Sequence, residues 1–163
     1  MVDEIKKYAR IMYEKNFLYG LKGSISARFE DDYFIINKNI IYDESDRYFT
    51  KLALNENYKY KDASNESNIH SLIYNNFSQA KVMAVVVSDN ILKINQKGYL
   101  LVKNNNIYSQ NFNILDDSKK IINHIKLTNY ILLKDYGLVI FSRDFNELFS
   151  NIFSIDLAAK ISL

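Results

Sequence analysis

Few side chains in this sequence can do chemistry. Cysteine is absent and there are two histidines, His70 and His124, so thiol catalysis and disulfides are excluded and imidazole chemistry rests on one of those two. His70 follows Glu66 by four residues, a spacing that sets two side chains on one face of a helix. A carboxylate and an imidazole held together can move a proton. The same residues also have a structural reading, with Glu66 as a first-turn glutamate favoured by the helix dipole and His70 as a hydrogen-bonding group. For a lone histidine the structural reading is the favoured one.

The pattern around these residues predicts the elements that position them. Ile5, Tyr8, Ala9 and Met12 recur at three and four, marking an amphipathic helix over 3–19 that Gly20 stops. Ser24 to Phe29 alternates, and Tyr33 to Ile36 follows an acidic turn, which reads as a hairpin; a further strand is expected near Phe49 to Leu54. Ile69, Leu72 and Ile73 mark a helix entered through Ser64 and Asn65, both good capping residues. The continuous run Val82 to Val87 predicts a strand buried on both faces. Tyr99 to Val102 and Ile107 to Tyr108 flank a turn at Asn104-Asn105-Asn106. Asp116 to Ser118 opens a helix with Ile121, Ile122 and Ile125 inward; Tyr130 to Leu133 and Gly137 to Phe141 are strands; and Asp144 with Glu147 caps a last helix. Helices interleaved with short strands predict an α/β fold with a largely antiparallel sheet and helices packed on it.

Composition narrows the function classes. A chain of 163 residues makes one domain, 1–163, with one site per subunit. With 48% hydrophobic and 25% charged residues it reads as an ordinary globular chain, and it has no apolar run long enough for a membrane span. A formal charge of +2 with mixed signs leaves no basic stripe for nucleic acid. The first residues mix acid and base in a helical pattern, so a signal peptide is not expected and the default location is cytoplasmic. Proline and tryptophan are absent and glycine is scarce, so turn landmarks can have drifted to other residues.

Four segments in register resemble the class II aldolase/adducin family. Leu18 to Phe29 (LYGLKGSISARF) resembles its glycine turn and Ile-Ser-x-Arg strand, and Tyr33 to Asp43 the strand and Thr-Pro-Ser-Gly turn that follow. Ser64 to Tyr74 (SNESNIHSLIY) resembles Ser-Ser-Glu with a histidine four residues on, and Leu132 to Phe149 the Asn-His-Gly strand and the next helix. Relative to that family, the chain reads as shortened before Leu132 and at the C-terminus.

The resemblance implies a three-layer α/β/α fold with a central, mostly antiparallel sheet, and a metal-dependent lyase of sugar phosphates with three histidines holding a divalent metal. Here the His-x-His pair falls on Val85 and Val87, or with one inserted residue on Val87 and Asp89, and the third histidine falls on Tyr136. No metal site and no cofactor are therefore expected, and a salvaged site from Asp89, Asp135 and Tyr136 would suit a hard cation. By the same resemblance Glu66 takes the acid/base position, and the phosphate-binding segments fall on Lys22-Gly23-Ser24, Lys38-Asn39 and Ser64-Asn65. Those residues also read as ordinary polar turn residues. The expectation is a noncatalytic module for a small phosphorylated sugar or other anion, forming a homo-oligomer; the alternative is an active lyase or isomerase using Glu66 and atypical ligands.

Overall fold

The computed structural model describes residues 2–101 and 106–163. Asn104 and Asn105, the centre of the expected asparagine turn, and Val102, the end of the strand before it, lie outside the described residues. Helix α1 (Val2–Glu14) leads into a hairpin of β1 (Ser24–Phe29) and β2 (Tyr33–Asn37), followed by β3 (Phe49–Ala53). Then come α2 (Ser67–Asn76), β4 (Val82–Val86), α3 (Asp89–Lys97) and the short pair β5 (Tyr99–Leu100) and β6 (Ile107–Tyr108). Helix α4 (Ser118–Thr128), β7 (Tyr130–Leu133), β8 (Gly137–Ser142) and α5 (Phe145–Ser162) complete the chain.

Six strands form one sheet in the order β3-β2-β1-β4-β8-β7, antiparallel at every pairing. Because successive side chains of a strand face opposite ways, β4 divides its run between two cores. Ala84 and Val86 join Ile5, Ala9, Ile91, Phe145 and Leu148 from α1, α3 and α5. Met83 and Val85 join Ile69, Ile73, Ile121 and Ile125 from α2 and α4. The sheet is thus the middle of three layers, as expected. Among the described residues no helix is long and apolar enough to cross a membrane.

Three boundaries differ from the sequence expectation. Helix α1 stops at Glu14, short of Gly20, because Asn16 takes a left-handed conformation (φ 56°). Helix α3 has no counterpart in that expectation; its start is marked by Ser88, whose hydroxyl accepts from Ile91 N–H, and its end by Gly98 at φ 98°. Helix α2 begins later in the chain than its capping signal. Ser64 Oγ accepts from the N–H of Glu66, and Glu66 is the residue at the helix boundary.

Candidate functional site

The centre of the site comes from a match between two repeats. Alternate residues of a strand are about 6.6 Å apart, and residues four apart in a helix are about 6 Å apart. Ser24, Ser26 and Arg28 therefore keep step with Glu66, His70 and Tyr74 where α2 lies along β1. Ser24 Oγ donates to Glu66 Oε2 (3.1 Å) and meets His70 Nε2 (2.7 Å). Ser26 Oγ meets His70 Nδ1 (2.6 Å) and the Tyr74 hydroxyl (2.7 Å). Arg28 closes the row: its guanidinium donates to the carbonyls of Tyr74, Phe77 and Ala80 at the end of α2, where positive charge favours the helix dipole. Ser26 and Tyr74 are not singled out by the sequence reading, although the spacings S-x-S-x-R and E-x3-H-x3-Y carry the signal.

Glu66 is buried, and its other oxygen accepts the N–H of Gly23 (2.7 Å). Burial lifts its carboxyl to about 7, and the bonds from Gly23 and Ser24 and the charge of Lys22 only partly oppose this. Burial likewise pushes the His70 imidazole down to about 3, so the ring is neutral at physiological pH. A carboxyl group that titrates near neutrality on the wall of a cavity is able to both give and take a proton.

That cavity encloses about 570 Å3 and is lined by Lys22, Asn65, Glu66, Asn68, Asp135 and Tyr136, with Leu21 and the segment 112–115. A second, of about 370 Å3, is lined by Asn39, Lys59, Lys61, Asp62, Ser64 and again Asn65 and Asn68. The residues expected to hold an anion are therefore distributed. Lys22 and Asn65 face the larger cavity, Asn39, Ser64 and Asn65 the smaller. The N–H of Gly23 and the hydroxyl of Ser24 are turned to Glu66. Lys38 lines neither cavity and sets its ammonium 3.3 Å from Asp62. The side-chain oxygen of Asn39 is buried with no partner among the described residues.

The sequence of residues 3–163 matches the model of the class II aldolase and adducin N-terminal domain. The chain belongs to the class II aldolase/adducin family. Its fold is that of L-fuculose-1-phosphate aldolase from Thermus thermophilus, with a TM-score of 0.81 at 12% identity, covering 98% of this chain and 92% of that one. The N-terminal class II aldolase domain of a conserved protein from Thermoplasma acidophilum is similar at TM-score 0.71 and 17% identity, with 98% and 92% covered. A putative aldolase/epimerase/decarboxylase from Escherichia coli gives 0.75 at 16% identity, with 98% and 86% covered. No curated protein matches the chain in sequence. Such low identities establish the shared fold and nothing finer.

Within the family frame, the donor set does not fit a zinc site of three imidazoles. Val85 is packed in the α2-side core, and Val87 lies against Gly23 and Gly137, where an added Cβ would come within 3.2 and 2.9 Å of its methyl groups. Valine has no ligand atom. Of the atypical donors, Asp135 and Tyr136 share the cavity with Glu66, whereas Asp89 is exposed at the start of α3 and does not line it. Among the described residues no three histidine, aspartate or glutamate side chains are grouped to hold a metal ion.

Proposed function

We propose that this chain is a noncatalytic member of the class II aldolase/adducin family that binds a small phosphorylated sugar, or a comparable small anion. The supporting observation is that the two cavities share Asn65 and Asn68. On one side lie Lys59, Lys61 and Ser64, donors suited to a phosphate; on the other lie Glu66, Lys22 and Asn113 beside Phe112 and Tyr136, suited to a short hydroxylated carbon chain. A ligand with one anionic and one hydroxylated end has a place for each.

Inorganic phosphate is the simplest probe. At a hundred times its Kd it adds about 2.7 kcal/mol, a rise of roughly 5–10 °C in Tm for a chain of this length. Asn65 is exposed, so Asn65→Ala should fold normally while losing most of that rise. A rise of equal size in Asn65→Ala and in Lys61→Ala would place phosphate elsewhere and remove the reading.

The second reading, a lyase or isomerase, is favoured by one observation: Glu66, with its carboxyl lifted to about 7, shares a cavity with Asp135 and Tyr136. Proton transfer by a single carboxylate supplies only part of what carbon-carbon cleavage requires, and stabilising the enediolate it generates would fall to the Lys22 ammonium and the Tyr136 hydroxyl. With valines at the two strand positions, protein purified without chelator should carry well under one zinc per chain. It should not cleave fuculose 1-phosphate when zinc, manganese or magnesium is added. Turnover that disappears in Glu66→Gln would establish the enzyme instead.

A further inference from the structure

Counting hydrogens along the row between β1 and α2 leaves one arrangement when Glu66 is ionised. Four contacts join five residues: Glu66 to Ser24, Ser24 to His70 Nε2, His70 Nδ1 to Ser26, and Ser26 to Tyr74. The carboxylate brings no hydrogen, while each hydroxyl and the neutral imidazole bring one apiece. Four hydrogens serve four contacts only if every one points toward Glu66. Ser24 then donates to the carboxylate, His70 donates through Nε2–H to Ser24, Ser26 donates to Nδ1, and Tyr74 donates to Ser26. If Glu66 is protonated and donates to Ser24, five hydrogens meet four contacts and one has no acceptor; full reversal of the row is one such arrangement. The Tyr74 hydrogen is then stranded in the core, because Ser26 is the one side-chain partner of that hydroxyl among the described residues.

We propose that Tyr74, Ser26 and His70 are positioning residues of the Glu66 site, which lock His70 as the Nε2–H tautomer and so keep Ser24 as a donor to the carboxylate. None of them lines the cavity. They act through Ser24, and each bond polarises the next in surroundings that exclude water. The neutrality of His70, enforced by its burial, is what makes the count close. The other charged or titratable groups that act on or respond to Glu66 are Lys22 from the turn before β1, Tyr136 with Asp135 from the β7–β8 turn, and Tyr48 from the segment before β3. None of these is a member of the row.

This inference rests on the reading of the Glu66 cavity as the working site, but its test needs no ligand. Two-bond 1H–15N correlations on 15N-histidine-labelled protein report the tautomer directly, with His124→Gln assigning the second ring. Above the midpoint of Glu66 the expected result is Nε2–H alone at His70. In Ser26→Ala the Nδ1 atom loses the donor that polarises the ring, so Nε2–H donates less strongly to Ser24 and Ser24 less strongly to the carboxylate. The ring should keep the Nε2–H form, while the Glu66 midpoint, read from its carboxyl 13C shift, should rise by about half a pH unit. A His70 ring in the Nδ1–H form in the parent protein would overturn the proposal even if Ser26→Ala fails to fold, as would an unmoved midpoint in a folded Ser26→Ala. A failed row leaves the phosphate titration standing, and a failed titration leaves the tautomer standing.

Discussion

Glu66→Gln is expected to gain about 3 kcal/mol of stability relative to the parent chain as the pH rises from 4.5 through 7. The parent's carboxyl titrates near 4.5 when unfolded and near 7 when buried, so between those values the folded chain holds a proton that the unfolded chain has released. Its contribution is fully present below 4.5 and is lost as the pH climbs through 7. His70 works in the opposite sense. Its imidazole falls from 6.5 to about 3 on burial, so its contribution is present above 6.5 and is lost as the pH drops toward 3. Over the shared window the two slopes are equal in size and opposite in sign, about 1.4 kcal/mol per pH unit each, and the parent stays nearly level as far as this pair is concerned. Removing the ionisable carboxyl leaves His70 alone, and the variant's stability should climb steadily to pH 6.5. Urea melts of both proteins at four pH values between 4.5 and 7.5 make the comparison, since surface groups common to the two cancel in the difference. Parallel curves would mean that Glu66 is ionised throughout, with its burial offset by contacts other than those seen.

A carboxyl is costly to bury, and the place of this one is visible in the sequence. The Glu66–His70 spacing, the buried run at Val82 to Val87 and the cap at Asp144 are local patterns, and the structure has all three. What the sequence hides is of two kinds. Asparagine stands in left-handed positions at Asn16, Asn55 and Asn129 in a chain with four glycines, so a residue that reads as a helix-breaking turn, a cap or a plain surface amide gives no single signal. The end of α1 differs from expectation for that reason. The start of α3, written Ser-Asp-Asn, reads equally well as the ragged end of a strand. The second kind is long-range. Ser26 and Tyr74 are common residue types, and they become part of the site only because β1 and α2 lie side by side with nearly equal repeats. The spacings S-x-S-x-R and E-x3-H-x3-Y give the matching repeats, but neither one alone says that its element lies against the other.

Gly137→Ala is expected to cost roughly 3–5 kcal/mol, the largest loss among the glycines Gly20, Gly23, Gly98 and Gly137. Gly137 has φ 115°, outside the range that L side chains occupy readily, and an added Cβ would run into the Val86 carbonyl oxygen and lie 2.9 Å from a Val87 methyl group. Neither obstacle can rotate away. The carbonyl belongs to the backbone of β4, where Val86 pairs with Leu138, and Val87 is wedged against Gly23 as well. Gly98 separates the conformational from the steric cost. It has a similar φ of 98° but nothing within 4 Å of the added atom, so Gly98→Ala should cost about 1 kcal/mol. The difference between the two melts isolates the overlap. It also bears on the site, because the turn that Gly137 pins against β4 is the one that delivers Asp135 and Tyr136 to the cavity of Glu66. A Gly137→Ala protein that still folds at low temperature should therefore bind phosphate but lose discrimination for a ligand reaching past Asn65 toward Tyr136. If the two glycine variants melt together, the backbone yields at Gly137 and the close approach is not what holds the turn in place.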